Sequence, residues 1–196
     1  MPGITIDVNG TRIATIDLTG IQVMDMSVYG ALDTDPKADL TASGGNYEDG
    51  GCGHLIWIAE HALLTGEILC VQFTEISGIA DQGKTIAELY PDEPACEQTD
   101  FTISADMAAE IRSRPRLHKA FIVQAGTSSG QRAMAASDER NTCFTFRLLW
   151  DCYRPDRARI SLRTYCFDDV IAREGGTRHL EAMLSIGESA SFSLVA

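Results

Sequence analysis

The sequence predicts a mainly β protein, an antiparallel β-sandwich or two packed small β units, with one or two short helices. Three observations lead there. Apolar residues alternate with polar ones in short stretches, as in Ile4-Thr5-Ile6-Asp7-Val8. Turn residues separate these stretches, beginning with Asn9-Gly10, a dipeptide that tolerates positive φ at both positions. The strand–helix rhythm of a doubly wound sheet is missing.

In chain order, Ile4–Val8 turns at Asn9-Gly10 into a return strand with Ile13, Ile16 and Leu18, and Thr19-Gly20 turns the chain again. Ile21 and Val23 then alternate in one phase while Met24, Met26 and Val28 continue in the other, which predicts a bulge in a long strand. Residues 31–54 are rich in Gly, Asp, Asn and Ser and read as a long acidic loop, with a short strand near Leu40. Leu55–Ile58, a turn at Thr65-Gly66 and a strand Ile68–Ile76 follow. The layout of residues 54–76 resembles β segments of bacterial proteins and implies no function.

Thr85-Ile86-Ala87-Glu88 has capping-box spacing, and Pro91 and Pro94 stop any helix there. Pro91–Asp100 is the linker candidate, followed by strand-like Phe101–Ile103. Ser104 caps a predicted helix through Arg112, ended by Pro115. Leu117–Val123 reads as a strand and Gly126–Gly130 as a loop. Thr142–Trp150 and Ala158–Phe167 are strands joined by a turn at Tyr153–Asp156. After Gly175-Gly176, His179–Leu184 has no clear type, and Ser189–Val195 is the last strand. This divides the chain into an acidic β unit, 1–98, and a β unit with a short helix, 99–196, which a single continuous domain would also accommodate. The halves show no sequence similarity and no solenoid or propeller period.

Charge supports that division. The net −12 is uneven: residues 1–105 hold 17 Asp/Glu against Arg12, Lys37 and Lys84, a formal −14, and the remainder carries +2. An acidic half repels nucleic acid and favours a partner with a basic surface. No apolar run approaches the roughly 18 residues of a membrane span. The opening MPGITIDVNG lacks the basic and apolar regions of a secretory signal, so a cytoplasmic location is expected. Six cysteines without a C-x-x-C pair are expected to be reduced, with Cys70 and Cys143 as small buried hydrophobes.

The one string with a named chemistry is Gly78-Ile79-Ala80-Asp81-Gln82-Gly83-Lys84-Thr85, which fits G-x-x-x-x-G-K-[ST]. In a phosphate loop the glycines let backbone N–H groups wrap a phosphate chain, the lysine neutralises charge, and the hydroxyl ligates magnesium. Its neighbours argue otherwise. The preceding strand is half polar, the following helix is short, Asp81, Asp92, Glu93 and Glu97 crowd the segment, and only Asp151 could serve as the partner aspartate.

Other constellations are weaker. Cys52, His54, His61 and Cys70 match no zinc spacing, and Asp33-Thr34-Asp35 with Asp39 lacks the glycine of a calcium loop. No metal, cofactor or catalytic residue is expected. Arg112, Arg114 and Arg116 are expected to pair with the acidic half or across an interface. The leading expectation is therefore a non-enzymatic cytoplasmic binding protein of inhibitor or immunity type. It would engage a basic partner through Asp33, Asp35, Asp39, Glu48 and Asp49. A nucleotide-binding protein using Gly78, Gly83, Lys84 and Thr85 is the alternative, and self-association through β edges a third reading.

Overall fold

The computed structural model describes residues 1–92 and 103–195. Among these residues twelve strands are formed: β1 (Pro2–Val8), β2 (Thr11–Asp17), β3 (Val23–Ala31), β4 (Ala38–Asn46), β5 (Gly53–Ala62), β6 (Ile68–Glu75), β7 (Ile122–Thr127), β8 (Arg132–Ala136), β9 (Cys143–Asp151), β10 (Arg157–Tyr165), β11 (Thr177–Ser185) and β12 (Ser189–Leu194). The helices are α1 (Ile86–Leu89), α2 (Ala105–Ser113) and α3 (Phe167–Ala172). They build the expected sandwich: one antiparallel sheet ordered β2-β1-β6-β12-β7-β8 and a second ordered β11-β10-β9-β3-β4-β5. Pro91 and Asp92 form a turn, while residues 93–100 and the start of the expected strand at Phe101 lie outside the described residues.

Strand alternation makes the core. Ile4, Ile6, Val71, Phe73, Val123 and Phe192 from the first sheet meet Met24, Met26, Leu40, Phe144, Phe146 and Leu162 from the second in one buried cluster. Phe192 stacks at 5.7 Å on Phe144 and at 5.3 Å on Phe146, and Phe121 meets Phe144 edge-on at 4.9 Å.

Both sheets repeat one connectivity. In the first, β2-β1-β6 is matched by β8-β7-β12; in the second, β5-β4-β3 is matched by β11-β10-β9. The antiparallel pairs β6·β12 and β3·β9 join the two sets. Register agrees as well as order. The pair Met24↔Gly44 corresponds to Phe144↔Thr164 at a spacing of 120 residues. A bulge follows Ala42 on β4·β5, with Trp57 as the extra residue, and another follows Leu162 on β10·β11, with His179 extra. Residues 2–75 and 122–194 are thus two copies of a six-strand unit, although their sequences show no likeness. Because β2 lies against β5 and β8 against β11, the first copy fills one side of the sandwich and the second copy the other.

Several expectations need correction. Residues 31–54 are not one loop, since β4 and the start of β5 run through them. Glycine is there because backbones approach closely: a Cβ on Gly45 would stand 1.8 Å from the Gly53 carbonyl oxygen, and one on Gly44 2.4 Å from that of Val23. No bulge interrupts β3, whose register against β4 and β9 is continuous. The change of phase comes instead from a turn, Ile21 N–H to Leu18 oxygen at 3.1 Å, as the chain passes between sheets. The strand expected at Leu117 begins at Ile122, because the N–H groups of Leu117 and His118 both bond to the Leu32 oxygen. The segment at His179–Leu184 is strand β11, and β8 and α3 were not foreseen.

Candidate functional site

The outer face of the second sheet carries the polar half of the strand alternation. Ser27 pairs with Arg147, Arg147 with Ser161, and Ser161 with Glu181, so these residues form one row across β3, β9, β10 and β11. Arg159 and Arg163 stand two residues either side of Ser161 on β10, making both diagonal neighbours of Arg147. Three arginines therefore surround one serine on this face of the sheet. Arg147 donates through Nε and Nη2 to Asp25, each at 2.8 Å, which raises its pKa chiefly through these hydrogen bonds.

α3 and the segment after it form the opposite wall. Asp169 fixes the start of α3 by accepting from the Cys166 N–H at 2.8 Å. Arg173 ends it in the left-handed region, φ 57°, uncommon for a side chain of this size. The groove has a volume of about 510 Å³ and is lined by Arg147, Arg159, Arg163 and Arg173, by Leu149 and Val170, and by the carboxylates Glu174 and Glu181. Arg163 donates from Nη1 to the Gly175 carbonyl at 3.2 Å. Tyr165 shares a 2.8 Å hydrogen bond with Thr145, and burial pushes its pKa up. Chemically the groove offers hydrogen-bond donors and positive charge beside apolar contacts.

The acidic residues singled out from sequence do not form one patch. Asp33 and Asp35 lie between β3 and β4, Asp39 is on β4 near its start, and Glu48 and Asp49 lie beyond its far end. At roughly 3.3 Å per residue, β4 separates the two groups by more than 20 Å. Asp39 has a buried Oδ1 with no hydrogen-bond partner; burial and the nearby Glu60 raise its pKa.

Gly78–Thr85 leads from β6, antiparallel to both its neighbours, into the four-residue α1. Several of its polar groups are already engaged. Lys84 exchanges backbone hydrogen bonds of 2.8 and 2.7 Å with Ile56, and the Asp81 N–H donates to Thr15 oxygen at 2.8 Å. Asp81 Oδ2 accepts from the Thr15 N–H at 2.7 Å, and its carbonyl accepts from Trp57 Nε1 at 3.0 Å. Thr85 Oγ1 accepts from the Glu88 N–H, and the Glu88 carboxylate accepts from the Thr85 N–H and hydroxyl, which holds Glu88 below its usual pKa. Asp151 sits at the end of β9, with β3 and β4 between it and β5. These surroundings lack the buried parallel strand and long helix with which the pattern cradles phosphate. The segment instead ties β2 of one sheet to β5 of the other.

Arg112 pairs internally, but with Asp168 of its own half rather than with the acidic half, through Nε at 3.0 Å and Nη2 at 2.7 Å. Arg114 reaches Glu110 at 3.7 Å. Cys143 is buried, whereas Cys70, between inward-facing Leu69 and Val71, is only half-buried. Among the described residues no three His, Cys, Asp or Glu side chains gather as a metal site. None of their helices is long and apolar enough to cross a membrane.

Sequence reading missed the arginine groove. Arg159-Ile160-Ser161-Leu162-Arg163 announces a strand with two arginines on one face, but not the meeting of that face with Arg147 and Arg173. Compared with protein-family models, curated proteins and solved structures, the chain matches none.

Proposed function

We propose that the chain is a non-enzymatic cytoplasmic binding protein that engages a partner with a basic surface through its first half, in the manner of an inhibitor or immunity-type protein. The observation that carries this reading is the division of charge between the two copies of the six-strand unit. The acidic first copy occupies one side of the sandwich, so the sequence asymmetry becomes a spatial one. Asp33, Asp35 and Asp39, with Glu60 beside Asp39, are the central contacts, and Glu48 and Asp49 form a second contact beyond the other end of β4. Cys52, Cys70, Cys143, Cys152 and Cys166 are unpaired, in keeping with a reducing compartment.

A fluorescent lysine-rich peptide, titrated at two ionic strengths, tests the proposal. Its affinity falls with salt and falls again in Asp33→Asn/Asp35→Asn/Glu60→Gln, with a smaller loss in Glu48→Gln/Asp49→Asn. An affinity indifferent to salt and to both variants would sink the reading.

A further inference from the structure

We propose that the groove between α3 and the outer face of β9–β10 binds a small organic anion, its oxyanion groups held by Arg147, Arg159, Arg163 and Arg173. The first argument is the placement of charge. Arg159 and Arg163 lie diagonal to Arg147, about 7–8 Å apart by sheet geometry, and like charges so placed repel. The protein compensates only part of this. Arg147 has Asp25 and Arg163 has the Gly175 carbonyl, but among the described residues neither Arg159 nor Arg173 has a carboxylate within 4.0 Å. Glu181 is engaged by Arg178. A bound oxyanion supplies the missing acceptors, and the planar guanidinium fork suits carboxylate and phosphate alike.

The second argument is shape. A volume of about 510 Å³ lies within the usual range of small-molecule sites, and Leu149 and Val170 provide apolar contacts for a carbon body. A long polyanion fits poorly, because the rest of the protein is strongly acidic. The third argument is a comparison within the molecule. The equivalent positions of the first copy hold Ser27, Asp39 and Ser43 in place of Arg147, Arg159 and Arg163, so the fold itself does not require arginine there.

Calorimetric titration with citrate and with inorganic pyrophosphate, in low-salt buffer, tests the site and distinguishes its two oxyanion sources. At least one probe binds saturably, and Arg159→Gln and Arg173→Gln each weaken it about tenfold or more. Arg132→Gln, on β8 of the other sheet, leaves the affinity unchanged, and thermal melts of all variants confirm folding. Tighter binding of citrate assigns a carboxylate ligand, and tighter binding of pyrophosphate a phosphate ligand. No saturation with either probe up to about 10 mM overturns the proposal. So does an equal loss in the Arg132→Gln control, which marks diffuse charge attraction.

Discussion

Arg159 on β10 occupies the position that Asp39 occupies on β4. Each follows an alanine buried in the core, Ala158 and Ala38, and each faces outward from the second sheet. One backbone site thus carries opposite charges in the two copies, and each charge has its own consequence.

Asp39 is held in a place that disfavours its ionised form. A carboxyl whose pKa is raised on folding costs stability at pH values above the folded pKa, and that cost disappears below the ordinary aspartate range. Asp39→Asn is therefore more stable than the parent at pH 7. Thermal melts at pH 7 and pH 3 check this, with the difference between variant and parent disappearing at the lower pH. A variant less stable than the parent at pH 7 would contradict it.

Arg147 and Asp25 form the one ion pair, among the described residues, that joins the two copies. Both groups keep solvent contact, with 47% and 32% of their side-chain surfaces exposed, so their coupling is modest despite the double hydrogen bond. A double-mutant cycle with Arg147→Met and Asp25→Asn gives about 0.5–1 kcal/mol, reduced by salt. A coupling of zero at low salt would show that β3 and β9 are held by backbone and core alone.

Phe144 and Met24 are equivalent core residues, one from each copy. Phe144→Ala costs about 3–5 kcal/mol and Met24→Ala about 2–5 kcal/mol in chemical denaturation. Since β6·β12 and β3·β9 carry the core across the junction, both variants unfold in a single transition. Two separated transitions would indicate copies that unfold independently.

Asp81 links Thr15 on β2 to Trp57 on β5. Asp81→Ala removes the Oδ2 hydrogen bond at an exposed position and costs about 1 kcal/mol. Amide exchange at Thr15 speeds up and Trp57 emission moves to longer wavelength, two readouts of one loosened segment. An unchanged exchange rate at Thr15 would remove Asp81 from this linking role.

Lys84 is expected to have no part in nucleotide binding. Equilibrium titration with ATP and GTP in the presence of magnesium gives no saturable signal for the parent or for Lys84→Ala. Saturable binding that Lys84→Ala abolishes would reinstate the phosphate-loop reading.

Much of the sandwich was legible because alternation and turn chemistry are local. Ile4–Val8, Asn9-Gly10, the Thr85 capping box and Ser104 each announce themselves within a few residues, and each stands where expected. Local composition misled at Gly44-Gly45, where glycine serves close packing between strands rather than an extended loop. β8 was missed because Arg-Ala-Met-Ala-Ala lacks the β-branched and aromatic residues that mark strands. The duplication was illegible for another reason. Met24 and Met26 correspond to Phe144 and Phe146, equivalent in burial and register but different in kind. Likewise, four arginines spread from 147 to 173 meet only after β9, β10 and α3 have assembled.

The tie made by residues 76–84 leaves the sandwich with one shut flank and one open one. Asp81 occupies the outer bonding positions of β2 at Thr15, and Lys84 those of β5 at Ile56. No equivalent segment among the described residues bonds to the outer edges of β8 and β11. A strand added along β8 or β11 would meet no such tie, whereas one added along β2 or β5 would have to displace Asp81 or Lys84.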